Sequence, residues 1–128
     1  MTDNFAQDIA QMHDHYGFPK VDPSIVKKFL EMRRDFIQEE LTELDVAIKN
    51  NVPEDIVDAL IDIAYVAFGT LDLLNINVNE AWDLVFQANM QKQPGVNMKR
   101  RNRHGFPDLI KPEGWSAPDH RNNLGGLK

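Results

Sequence analysis

Phe36-Ile37-Gln38-Glu39-Glu40-Leu41-Thr42-Glu43-Leu44 and Asp55-Ile56-Val57-Asp58-Ala59-Leu60-Ile61-Asp62, separated by Asn50-Asn51-Val52-Pro53, decide how this chain folds. The separator reads as a helix stop followed by a proline suited to the first position of the next helix. The flanking segments then form an antiparallel helical hairpin. Counted outward from Asn51, Glu43 lies eight residues before and Asp58 seven after, while Glu40 and Asp62 each lie eleven away. At a rise of about 1.5 Å per residue both acidic pairs come level with each other. Two facing pairs of carboxylates make a cage of oxygen ligands for a hard divalent cation.

The helical faces strengthen this reading. At about 100° per residue, Leu30, Ile37, Leu41, Leu44 and Ile48 define an apolar stripe on the first helix, with Phe29, Phe36 and Ala47 beside it. Glu40 falls inside that stripe, Glu43 at its edge and Glu39 further out. On the second helix, apolar residues from Ile56 to Leu74 cover roughly 220° of the circumference, the pattern of a buried helix. The remaining arc carries Asp55, Asp58, Asp62, Tyr65, Gly69 and Asp72. A narrow acidic stripe on an otherwise buried helix is costly unless something positive is bound there.

The rest of the 128-residue chain fits a single all-α domain. A first helix runs from about Asn4 to Tyr16, stopped by Gly17, with Phe5, Ile9, Met12 and Tyr16 on one face. Asp22-Pro23 opens the second, which continues to about Lys49. The third runs from Pro53 to Leu74. The fourth starts near Val78 and ends before Pro94-Gly95, and its pattern predicts burial of Trp82, Val85, Phe86 and Met90. The expected architecture is a four- to five-helix bundle over residues 1–94 with a Pro/Gly-rich, irregular arm over 95–128. The extent of apolar surface on the third helix suggests that two chains share a core.

Composition excludes several classes. No apolar run approaches the roughly 20 residues of a membrane span, and Met1-Thr2-Asp3-Asn4 does not open a signal peptide. The absence of cysteine removes disulfides and thiolate metal ligands and fits a cytoplasmic protein. No glycine-rich phosphate loop is present. The formal net charge of −6 is uneven: residues 1–94 hold seven Lys and Arg against seventeen Asp and Glu, and residues 95–128 hold seven against three. An acidic body argues against nucleic acid as a partner. The basic arm suits phosphates bound at the acidic site.

Carboxylate oxygens select Mg²⁺, with Mn²⁺ as a substitute, and such ions leave positions for substrate phosphates. No histidine stands at helical spacing from the acids, which disfavours zinc and a Glu-x-x-His di-iron site. The chemistry natural to this set is metal-assisted hydrolysis of a phosphoanhydride.

Glu39-Glu40-x-x-Glu43 followed by an acidic pair on the next helix resembles the all-α nucleoside triphosphate pyrophosphohydrolases. That superfamily includes MazG-like proteins, dimeric dUTPases and phosphoribosyl-ATP pyrophosphohydrolases. Met12-His13-Asp14-His15-Tyr16-Gly17, Arg34-Asp35-Phe36-Ile37, Asp58 to Val66, Ala88-Asn89-Met90-Gln91-Lys92 and Lys111 to Asp119 extend the likeness over nearly the whole chain. The resemblance implies a MazG-like bundle, a homodimer or homotetramer, Mg²⁺, and conversion of a nucleoside triphosphate to its monophosphate and pyrophosphate. It implies metal-binding roles for Glu40, Glu43 and Asp62, and a role for Glu39 in orienting or deprotonating the attacking water. The motif's second-helix glutamate is replaced by Ala59, and Asp58, one turn before Asp62, is the expected substitute. Asn89, Lys92 and Lys111 are implied in substrate binding, and Arg101, in the basic run with Lys99, Arg100 and Arg103, is expected to reach substrate phosphates. Two alternatives stand beside this reading: hydrolysis of phosphoribosyl-ATP itself, and a non-catalytic helical nucleotide-binding or dimerisation module.

Overall fold

A computed structural model describes residues 4–99 and 105–128. Four helices dominate: α1 Phe5–Tyr16, α2 Val26–Asn50, α3 Pro53–Leu73 and α4 Val78–Met90. They are followed by two three-residue strands, β1 Gln93–Gly95 and β2 Asp108–Ile110. The protein is an all-α helical bundle with one small antiparallel ribbon. It consists of two compact units, one made of the described residues up to Val78 with Leu124–Lys128, the other of Asn79–Asn123.

Local chemistry places the helix ends of the first unit. The Asn4 side chain accepts a hydrogen bond from the Gln7 N–H at 3.1 Å and caps α1. Gly17 ends it with φ 69°, a left-handed conformation that costs glycine nothing, and the Phe18 N–H returns to the His13 carbonyl at 2.9 Å. Asp22 accepts from the Ser24 N–H at 2.8 Å and opens a single 3₁₀ turn, Pro23–Ile25, that leads into α2. Sequence places Asp22-Pro23 at the start of α2 itself; the first turn is instead wound tighter, as helix entries often are.

The α2–α3 hairpin forms where the separator predicts it. Asn51 takes the left-handed conformation, φ 53°, which its short polar side chain tolerates. The Val52 N–H reaches the Ala47 carbonyl at 3.1 Å, and Pro53 then starts α3. Glu54 and Asp55 occupy the first turn of α3, where its dipole favours negative charge. The C-terminus of the chain returns to the far end of α3. There the Gly126 N–H donates to the Leu74 carbonyl at 2.7 Å, and a side chain at Gly125 would run into that same carbonyl oxygen.

The first unit's core is made of Ile9, Ala47, Ala59, Val66, Leu73, Leu74, Ile76 and Val78. The α3 pattern predicts burial on most sides, yet Val57, Leu60 and Ile61 are 63%, 51% and 64% exposed. In the second unit Trp82, Phe86 and Met90 are likewise exposed, and only Val85 of the predicted set is half-buried. Apolar periodicity marks the faces that avoid water; within a single chain these faces have no cover. The second unit also holds the β ribbon, in which Gln93 pairs with Ile110 and Gly95 with Asp108. No strand pattern is legible there because the strands are three residues long and contain Pro94 and Gly95.

Candidate active site

The hairpin register fixes which side chains of α2 and α3 meet. An independent marker of that register lies about two turns from the acids. Arg33, eighteen residues before Asn51, donates from Nε to the hydroxyl of Thr70, nineteen after it, at 2.9 Å. It also donates from Nη2 to the Val66 carbonyl at 3.2 Å. The level pairing of Glu40 with Asp62 continues the same ladder.

Glu40, Glu43, Asp58 and Asp62 act on one another. Burial, a hydrogen bond with Glu43 and repulsion from Glu43, Asp62 and Asp58 push the Glu40 carboxyl up to about 7. Burial, with repulsion from Asp58 and Glu43, raises Asp62 as well, against the lowering effect of its hydrogen bond with Glu40. The Glu40 Oε2 atom is buried and has no hydrogen-bond partner, the one such side-chain atom among the described residues. An orphaned carboxylate oxygen facing three further acids is a costly arrangement that a bound cation relieves. Among the described residues no group of three or more acids or histidines stands in a geometry that holds a metal ion as it is. The donor set nevertheless fits a hard cation: four carboxylates, one buried and unsatisfied, on two rigid helices.

Ala59 and Asp58 lie on different sides of α3. Ala59 is 2% exposed and part of the core, whereas Asp58 is exposed and contributes to the field on both Glu40 and Asp62. Glu39 is exposed on α2. Glu43, Asp55 and Asp58 line a cavity of about 370 Å³ at the hairpin's turn end, with Thr42 and Asn50. That places open space directly beside the acids.

The second unit gathers three of the remaining implied residues. The Trp115 indole N–H donates to the Ala88 carbonyl at 2.7 Å, tying the arm to the end of α4. Lys92 and Lys111 hold their ammonium groups 5.0 and 5.1 Å from the Trp115 ring centroid. Asn89 is half-buried one turn before Lys92, whose N–H it accepts at 3.0 Å. Arg101 lies outside the described residues.

Sequence reasoning missed one cluster. His13 is 4% exposed, and its Nδ1 lies 2.6 Å from Asp72 Oδ2. Lys20 donates to the Asp72 carbonyl oxygen at 2.9 Å. Asp72 was visible on the acidic arc of α3, but its partner sits fifty-nine residues earlier, beyond the reach of helical periodicity.

The site is an antiparallel helical pair that brings carboxylates of both helices to one place. The sequence profile of the phosphoribosyl-ATP pyrophosphohydrolase family matches residues 11–89, well over half of the chain and including both acidic clusters, and the protein belongs to that family. It is a hydrolase of phosphoanhydride bonds. No curated protein matches the chain. Among the described residues no helix is long and apolar enough to cross a membrane.

Proposed function

We propose that the protein hydrolyses phosphoribosyl-ATP to phosphoribosyl-AMP and pyrophosphate, at the Glu40–Glu43–Asp58–Asp62 site. The observation that carries this reading is the family match across residues 11–89, which spans the whole acidic hairpin. The four acids are assigned to Mg²⁺, with Mn²⁺ able to replace it. Such an ion, when bound, neutralises triphosphate charge and polarises the bond to be cleaved.

The chain's own groups do the rest. Glu40, whose Oε2 is buried without a hydrogen-bond partner, would hold such an ion in its deprotonated form. Glu39 accepts a proton from the attacking water as its oxygen bonds to the α-phosphorus. The α–β phosphoanhydride bond breaks, and pyrophosphate leaves with the electron pair. The family likeness alone assigns Lys92 and Lys111, whose ammonium groups converge on Trp115 within the second unit, to substrate phosphates. Two or more copies of the chain join through the uncovered apolar faces of α3.

The wider reading, a general (d)NTP pyrophosphohydrolase, shares the acids and differs only in what lies beyond the triphosphate. A panel of phosphoribosyl-ATP and the common ribo- and deoxyribonucleoside triphosphates, assayed with Mg²⁺ by anion-exchange separation of products, separates the two. Pyrophosphate released fastest from phosphoribosyl-ATP is the expected result. Preference for a common triphosphate overturns the assignment of substrate, and no release from any of them overturns the reaction at this site.

A further inference from the structure

A cavity of about 670 Å³, larger than the one at the acids, opens further along the same hairpin, and the reaction uses none of its residues. It is walled by Phe18, Phe29, Met32, Phe36 and Leu73, with Arg33 among them. At 100° per residue, Phe29, Arg33, Phe36, Glu40 and Glu43 fall within an arc of about 80° on α2, so cavity and acids share one face. Arg33 lies about 10 Å from Glu40 along the axis, a reach that one sugar ring and a base can span.

The lining has a specific chemistry. Phe18, Met32 and Phe36 are 51%, 44% and 37% exposed, so apolar and aromatic surface is left open to the cavity rather than packed. The Arg33 guanidinium carbon lies 5.8 and 5.6 Å from the Phe29 and Phe36 ring centroids. Its bonds to Thr70 and Val66 fix its plane and still leave N–H donors over for a ligand. Gly69 gives it room, since a side chain there would come within 2.9 Å of Nη2. Ring faces for stacking and an immobilised planar donor suit a flat heteroaromatic group with ring-nitrogen acceptors.

We propose that this cavity is the base subsite of the enzyme: it takes the purine of the nucleotide, stacked among Phe18, Phe29 and Phe36, with Arg33 donating to its edge. The inference rests on the proposed hydrolysis for its orientation, with phosphates toward Glu40, and is tested separately from it.

The test is a ¹⁵N and methionine-methyl NMR titration with AMP, in the absence of divalent metal and with ribose 5-phosphate as the baseless control. AMP shifts the resonances of Met32 and its neighbours, and ribose 5-phosphate does not. Met32→Trp, which fills the cavity from a half-open position, weakens AMP binding at least tenfold. Phe18→Ala, on a different wall, does so too and serves if Met32→Trp fails to fold. Glu40→Gln, which removes an acid only, keeps the AMP shifts. AMP shifts confined to the surroundings of Glu40 and Asp62, or AMP affinity unchanged in both cavity variants, overturns the subsite. Pocket binding without turnover of any nucleotide sinks the proposed reaction alone, and turnover with a KM indifferent to both cavity variants sinks the subsite alone.

Discussion

Glu40 carries most of the site's tension in one side chain. Burial and its acidic neighbours hold its carboxyl near 7, whereas in an unfolded chain it titrates near the ordinary 4.5. Between those values the folded protein keeps a proton that the unfolded chain has lost, so stability falls as pH rises through that window. Asp62, raised for the same kind of reason, adds in the same direction. Metal-free protein is therefore more stable to urea at pH 5 than at pH 8, and Glu40→Gln flattens that difference; a wild type more stable at pH 8 would refute the assignment. Metal affinity has the opposite slope, because the proton must leave before the ligand forms. Turnover is expected to fall by roughly 100-fold or more in Glu40→Gln and in Asp62→Asn, the scale on which single electrostatic groups act in active sites. Both variants melt no lower than wild type, since each removes a repelled acid. Asp58→Asn decides whether the acid one turn before Asp62 replaces the missing ligand at Ala59: an unchanged rate would mean that position 59 leaves a gap.

The hairpin is the element on which everything else is mounted, and it was largely legible. Asn51 and Pro53 mark its turn, and counting from Asn51 levels Glu40 with Asp62, a register that the Arg33–Thr70 bond repeats further along. Thr70 was not legible, because a threonine inside an apolar helix carries no sign of what it binds across the groove. Its hydroxyl accepts from Arg33 Nε and donates to the Val66 carbonyl at 2.6 Å, so it closes a three-way contact. Thr70→Val leaves a half-buried guanidinium donor unpaired and is expected to cost about 1–3 kcal/mol in urea denaturation. Thr70→Ser restores the contact and recovers most of the loss. A Thr70→Val protein as stable as wild type would show that Arg33 finds another partner without strain. The His13–Asp72 pair was hidden for a related reason: it joins α1 to α3, and sequence spacing within one helix cannot report on a contact between two.

At the scale of the molecule, the apolar surface exceeds what one chain covers. Val57, Leu60 and Ile61 follow one another around α3 with at least half of each side chain's surface exposed, on a helix whose other side supplies the core residues Ala59, Val66 and Leu73. Sequence periodicity read that helix as buried and was reading its preference, which a single copy does not satisfy. Soluble monomers rarely leave large apolar side chains clustered in the open, and the usual cover is a partner or another copy. An acidic cluster next to such a face adds a constraint, because a second copy must approach without bringing further carboxylates onto Glu40. Sedimentation equilibrium is expected to give a dimer or tetramer for the wild type. Ile61→Arg places an unpaired charge in the middle of the face and shifts the protein to monomer, since a buried unpaired charge costs more than the contact returns. Position 61 is one residue from Asp62, so the same variant reports on function: loss of both assembly and turnover would tie the site's integrity to the second copy. Turnover by a stable monomer would show that one hairpin suffices. A wild type that sediments as a monomer would leave the exposed face of α3 without the partner proposed for it.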